Sequence, residues 1–366
     1  MIKVMTIFGT RPEAIKMAPL VLELKKRKNI ETIVCVTAQH REMLDQVLGI
    51  FNIKPDYDLN IMQKGQTLTD ITTRALKGLE SVIENTKPDI ILVHGDTTTA
   101  FTGALAAFYQ GIAIGHVEAG LRTYDKYSPF PEEMNRQMVD CMADIFFAPT
   151  MLSRDNLLKE NIDINKIYVT GNTAIDAMRE TVKDDYQNEI LDFVGNSKMI
   201  LLTAHRRENI GDAMYNIFRA VKRITNEFDV KVIYPIHMNP QVRKIANEVL
   251  GDNDKVKIIE PLEVKDFHNF INKSYLILTD SGGIQEEAPG LGKPVLVIRD
   301  TTERPEGIEA GTLKLAGTDE DTIYNLTKEL LENKEEYNKM AKSTNPYGDG
   351  MASIRICDAI EKYFNK

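Results

Sequence analysis

The feature that most constrains this chain is the alternation of short β-branched runs with longer amphipathic stretches, kept up almost from end to end. "IKVMTIF", "ETIVCVT", "DIILVHG", "AIGHVEAG" and "DIFFAPT" lie in the first half, and "KMILLTAH", "VKVIYPIH", "VKIIEPL", "YLILTDS" and "PVLVIRD" in the second. Between them stand helical patterns such as "EAIKMAPLVLELKKRK" and "TLTDITTRALKGLESVIENT". Strands apolar on both faces need helices covering each side, which is the parallel α/β arrangement. At 366 residues the chain exceeds one ordinary core. The polar, weakly patterned "TVKDDYQNEILDFVGNSK" separates two halves of the same rhythm. The expected fold class is therefore α/β, with two Rossmann-like doubly wound domains facing across a cleft, spanning 1–170 and 171–349. The last amphipathic pattern, "GMASIRICDAIEKYF", is expected to return a helix at about 350–366 to the first domain.

Composition narrows the function. A formal charge of -9 argues against a nucleic-acid surface, which carries a basic stripe, but leaves room for an anionic small ligand held by local cations. No apolar run reaches the ~18 residues of a membrane span, and the N-terminal apolar stretch ending at Gly9 is too short for a signal peptide. Cys35, Cys141 and Cys357 are odd in number and widely spaced, so neither a disulfide framework nor a cysteine-rich zinc site is expected, and a cytoplasmic setting follows.

Five polar clusters fall where strands end, which is the functional face of such sheets: "GTRPEAIK", "HGDTTT", "HVEAG", "TAHRREN" and "TDSGG". In the first, Pro12 suits a helix start, and Arg11 and Lys16 flank an N-terminus whose free amides favour an anion. A solvated Arg and Lys on a capped helix is the plain alternative. Neither GxGxxG nor GK[ST] is present, which turns the reading away from a nicotinamide or ATP site. "TDSGGIQEE" offers Ser281, Gly282 and Gly283 to phosphate oxygens, and Glu287 to a ribose diol. Arg304, beyond the next strand, has the planar fork that suits a diphosphate. For one of Glu286 and Glu287, compensation of the helix dipole is the plain reading.

Asp96, Glu118 and the pair Glu132–Glu133 supply carboxylates; gathered together they raise one another's pKa and suit acid and base roles. Asp96 could equally cap the helix that follows it. Among the histidines near strand ends, His94 and His116 read as hydrogen-bonded structural residues, since no HxH or HxxxH pair suggests a metal. His205, followed directly by Arg206 and Arg207, is the better catalytic candidate, and His237 ends the next strand.

With these motifs in order, joined by "TAQHREMLDQVL" and "PFPEEMNRQ", the chain closely resembles the non-hydrolysing UDP-N-acetylglucosamine 2-epimerases over its whole length. The resemblance implies a glycosyltransferase-B-like arrangement, a homodimer, and interconversion of UDP-GlcNAc and UDP-ManNAc with no cofactor, supplying ManNAc for cell-surface polysaccharide. It implies catalytic roles for Asp96, Glu118, Glu132 and His205, and UDP binding by Arg11, Lys16, Leu262, Phe267, Ser281, Gly282, Gly283, Glu287 and Arg304. Leu262 would offer backbone groups to uracil and Phe267 a packing surface. It further implies a second, effector site for UDP-GlcNAc at Gln39, Gln66, Glu132, Arg206 and His237, weakened by Gly65 where an arginine can sit in effector-binding relatives. The rivals are a nucleotide-sugar glycosyltransferase of the same layout, a hydrolysing epimerase, and a non-catalytic nucleotide-sugar sensor.

Overall fold

Strands form at the β-branched runs because alternate residues of each run bury on opposite faces of a sheet. In the computed structural model, which describes residues 1–365, internal contacts divide the chain into two units: Met1–Glu180 together with the chain from Tyr347 onward, and Thr181–Pro346.

The first unit holds a parallel sheet of β1 (Ile2–Phe8), β2 (Ile30–Val36), β3 (Tyr57–Asp58), β4 (Ile90–His94), β5 (Ala113–Val117), β6 (Ile145–Ala148) and β7 (Ile167–Val169), in the order β3-β2-β1-β4-β5-β6-β7. The second holds β8 (Lys198–Thr203), β9 (Val230–Pro235), β10 (Val256–Ile259), β11 (Leu276–Thr279), β12 (Val295–Val297) and β13 (Leu313–Leu315), in the order β10-β9-β8-β11-β12-β13. Strand order reverses between β1 and β4 in one sheet and between β8 and β11 in the other. Connections leave such a point in opposite directions, so the backbone opens a crevice at the strands' carboxyl ends. The register Leu276↔Ile200 to Thr279↔Thr203 ends β8 and β11 side by side, with the two threonine hydroxyls 2.6 Å apart.

Both faces of the second sheet are covered. Ile200, Leu202, Val232, Tyr234 and Leu278 pack with Phe218, Val221 and Ile224 of the Asp212–Glu227 helix. Their neighbours in sequence, Met199, Leu201, Ile233 and Ile277, pack with Phe270 and Ile271 of the Val264–Lys273 helix. Strands β3, β7 and β13 were not foreseen; with two or three residues each, they carry too little pattern to stand out.

The division between units falls after Glu180 and before Tyr347, where the sequence placed it after 170 and 349. All but the last residue of the Thr173–Thr181 helix belong to the first unit, where the helix start is tied: Asn172 N–H donates to the Tyr347 carbonyl at 2.7 Å, and Asp176 accepts from the N–H groups of Ala352 and Ser353. The Ala352–Phe364 helix packs against the Arg11–Lys26 helix, and Arg27 Nη1 lies 2.8 Å from Asp358 Oδ1. Among the described residues no helix is long and apolar enough to cross a membrane.

Candidate active site

In the first unit the candidates sit just past β1, β4 and β5. Gly9 follows β1 where a Cβ would stand 1.9 Å from Thr37 Oγ1, so only glycine fits. Thr10 then caps the Arg11–Lys26 helix, and Glu13 completes a capping box. Glu13 Oε2 accepts from the N–H groups of Gly9 and Thr10, and Oε1 accepts from the Thr97 hydroxyl at 2.7 Å. Burial pushes the Glu13 carboxyl up in pKa, against the lowering effect of these bonds. It thus fastens the end of β1 to Thr97, which caps the helix after β4. Sequence reasoning passed Glu13 over; the spacing Thr-x-x-Glu at a helix start was the signal available. Arg11, the first helical residue, is exposed.

Lys16 points its ammonium at Glu118, with Nζ 2.8 Å from Oε1 and 2.7 Å from Oε2. His94 Nε2 also lies 2.8 Å from Glu118 Oε2, at ion-pair distance but outside hydrogen-bond alignment. Glu118 is buried and has φ +67°, a left-handed conformation unusual for a side chain of this size. Burial alone would raise its pKa; Lys16 and His94 outweigh that and hold the carboxylate well below its usual range. Glu118 is accordingly ionised and masked by a cation.

Asp96 does not cap the next helix, since Thr97 does; its Oδ2 accepts from Arg136 Nη2 at 2.6 Å. The Glu132–Glu133 pair divides. Glu133 is buried, accepting from the N–H groups of Thr123 and Tyr124 and from Gln137 Nε2. Glu132, first residue of the Glu132–Met142 helix, stays half-exposed. His116 is buried between Asp140 Oδ1 at 2.6 Å and the Gly95 carbonyl at 2.8 Å, so it supports the "HGD" turn from below. Among the described residues no group of three histidine, cysteine or acidic side chains is disposed to hold a metal ion.

In the second unit the site forms at the strand-order reversal. Asp280, directly after β11, is fully buried and collects donors from the loop after β8. Its Oδ2 accepts from His205 N–H at 2.7 Å, Arg206 N–H at 2.8 Å and Asn209 Nδ2 at 3.2 Å, while Oδ1 lies 3.1 Å from His205 Nδ1. Burial opposes ionisation of Asp280, but His205 and these amides pull its pKa below the ordinary value. Asp280 therefore holds the His205 backbone and sets a negative charge beside its ring, at ion-pair distance but outside hydrogen-bond alignment; the ring also stacks on His237 at 5.4 Å and 17°. Burial and the neighbouring His205 hold His237 below the usual imidazole range. The "TDSGG" motif was read for its glycines, and its aspartate was missed.

Ser281 starts the short Gly282–Glu287 helix. A Cβ on Gly282 would lie 3.8 Å from Arg304 Nη2 and 3.9 Å from Arg206 Nη2, so two guanidinium groups converge on this turn. Glu286 and Glu287 stand at the end of that helix, where they cannot compensate its dipole. Instead Glu286, buried, pairs with Arg304 Nε, and Glu287 Oε1 lies 3.8 Å from a Cβ built on Gly283. Leu262 and Phe267 pack against the core on the face of Phe270. Of the effector candidates, Gln39 accepts from Thr99 Oγ1 and its carbonyl from Gln66 Nε2, while Gln66 Oε1 accepts from Arg74. These two glutamines belong to the first unit, and Arg206 and His237 to the second.

Fold and strand-end chemistry together define a two-unit α/β protein of the glycosyltransferase-B-like class, with acids and cations set at the carboxyl ends of both sheets. At the level of fold alone it resembles sucrose-phosphate synthase of Thermosynechococcus elongatus, with a TM-score of 0.68 over 99% of each chain at 9% identity. A family model described as UDP-N-acetylglucosamine 2-epimerase matches residues 22–361. The UDP-N-acetylglucosamine 2-epimerase of Bacillus subtilis is 66% identical over 360 residues, covering 98% of this chain and 95% of that one. The crystal structure of UDP-GlcNAc 2-epimerase from Neisseria meningitidis bound to UDP-GlcNAc matches with a TM-score of 0.88 at 51% identity, over 99% of this chain and all of that one. The chain belongs to the UDP-N-acetylglucosamine 2-epimerase family, as its ordered motifs indicated.

Proposed function

We infer that this protein interconverts UDP-GlcNAc and UDP-ManNAc without hydrolysis, by eliminating UDP and adding it back. The end-to-end match to UDP-N-acetylglucosamine 2-epimerases carries this reading. The hydrogen at C2 is not beside a carbonyl, so direct deprotonation to an enolate is closed. Elimination opens another route. The C1–O bond breaks with its electron pair passing to the diphosphate oxygen, a carboxylate takes the C2 proton, and C1=C2 forms, giving 2-acetamidoglucal and UDP. Proton delivery to the other face of C2 and return of the diphosphate oxygen to C1 give the epimer.

Three carboxylates, Asp96, Glu118 and Glu132, are the proton-transfer groups in this reading, which suits a reaction needing two faces. Arg11, Lys16, Ser281, Gly282, Gly283 and Arg304 take the diphosphate, whose charge grows as C1–O breaks. Glu287 takes the ribose diol, Leu262 and Phe267 the uracil. His205, held by Asp280, donates to or stabilises the departing phosphate. The same reading makes the protein a cytoplasmic homodimer, with Gln39, Gln66, Glu132, Arg206 and His237 as a second ligand site.

The test is product analysis by anion exchange after incubation with UDP-GlcNAc or UDP-ManNAc alone. Both should yield the same mixture of two UDP-sugars. UDP with free ManNAc as the lasting products would make the protein a hydrolysing enzyme, and consumption only in the presence of an acceptor would make it a transferase.

A further inference from the structure

A base must be able to receive a proton, yet Glu118 receives an ammonium group at both oxygens. Lys16 Nζ stands 2.8 and 2.7 Å from them, Lys16 is itself partly buried, and the left-handed backbone at Glu118 holds the carboxylate in this position. The charged and titratable groups that face Glu118 are Lys16, from the Arg11–Lys26 helix, and His94, from the end of β4. So long as Lys16 stays, Glu118 is a weak base, because protonation would forfeit a short ion pair in a buried setting.

Lys16 is also the partly buried cation of the first helix, carried in the stretch that the nucleotide reading assigns to the diphosphate. Its three N–H donors include two already given to Glu118, and a doubly charged diphosphate attracts the ammonium more strongly than the single charge of that carboxylate does. We propose that Lys16 is a ligand-released counter-cation: the substrate's diphosphate draws it off Glu118, and the carboxylate becomes a competent base only when a nucleotide sugar is bound. The inference rests on the reading of Lys16 as a diphosphate ligand. It couples two residues otherwise given separate tasks, and it explains why a carboxylate meant for proton transfer is found masked. Once Lys16 has moved, His94 remains beside Glu118 Oε2 and keeps it from losing all support.

The test follows the Glu118 carboxyl by NMR across pH in the full chain labelled with [5-13C]glutamate, its signal identified by loss in Glu118→Gln. Saturating UDP should move the Glu118 titration midpoint upward in the parent. Lys16→Met without ligand should move it in the same direction, with a melting curve confirming the fold; the UDP arm on the parent needs no variant. UDP added to Lys16→Met should bring no further upward movement, which separates removal of the cation from direct repulsion by the diphosphate. Lys16→Met should also bind UDP one to two decades more weakly, as loss of a charge-assisted bond of about 1.5–3 kcal/mol implies. If calorimetry shows UDP bound to the parent and Glu118 does not move, the inference falls alone. If the parent binds no UDP, the nucleotide reading and this inference fall together.

Discussion

Replacing Asp280 tests how a residue without contact to substrate governs one proposed to have it. The carboxylate is fully buried and holds two backbone N–H groups at 2.7 and 2.8 Å, with His205 Nδ1 3.1 Å from its other oxygen. Asp280→Asn is nearly isosteric and keeps one oxygen for those amides, but it loses the charge and turns an NH2 toward the imidazole. Hydrogen bonds to a charged acceptor are worth about 1.5–3 kcal/mol and neutral ones about 0.5–1.5. With the Asn209 Nδ2 bond to the same oxygen, three weakened bonds cost about 3–4.5 kcal/mol of folding stability, read from chemical denaturation. Turnover should fall further than stability suggests, because the His205 ring loses the negative charge 3.1 Å from its Nδ1. The ceiling is the whole contribution of His205 as an acid, about 10²–10⁴-fold. The decisive assay is a double-mutant cycle with His205→Asn. If Asp280 works through His205, adding Asp280→Asn to His205→Asn should cost almost nothing more in kcat. Losses that simply multiply, or an Asp280→Asn enzyme with the parent's kcat, would refute the argument.

Two further outcomes follow from named contacts. Arg304→Ala should weaken UDP binding by about one to two decades by calorimetry and lower the melting temperature, since buried Glu286 loses its guanidinium; Arg304→Lys should recover only part, for lack of the fork. Asp140 is buried with His116 and Arg122, which overcome the burial penalty and depress its pKa. Its stabilisation is present in full above the unfolded aspartate value near pH ~4 and is lost as pH falls through the lower folded value. Asp140→Asn should therefore cost about 3–5 kcal/mol at neutral pH, and the gap to the parent in denaturation curves should close as the medium becomes acid.

Much of this was legible in the sequence because sheet burial writes itself as β-branched runs, and the polar clusters follow those runs directly. What was not legible depends on which way a side chain turns. "PEE" gives no sign that Glu133 goes inward to the Thr123 and Tyr124 amides while Glu132 stays outside. "HGD" reads as a structural histidine followed by a catalytic or capping aspartate, and nothing local shows that His94 turns to Glu118 and Asp96 to Arg136 while Thr97 does the capping. Asp280 was obscured by the glycines after it. Its role appears only when β8 and β11, 76 residues apart at Thr203 and Thr279, end beside one another. Lys16 and Glu118 were each singled out, but 102 positions separate them and nothing local records their contact.

The central claim is that C2 exchanges its proton while the sugar is parted from UDP. It is tested most directly by incubating the protein with UDP-GlcNAc in deuterated water and reading C2 of the recovered UDP-sugars by NMR. The account predicts deuterium at C2 in both UDP-GlcNAc and UDP-ManNAc. Epimerised UDP-sugar that keeps its original hydrogen at C2 would contradict it.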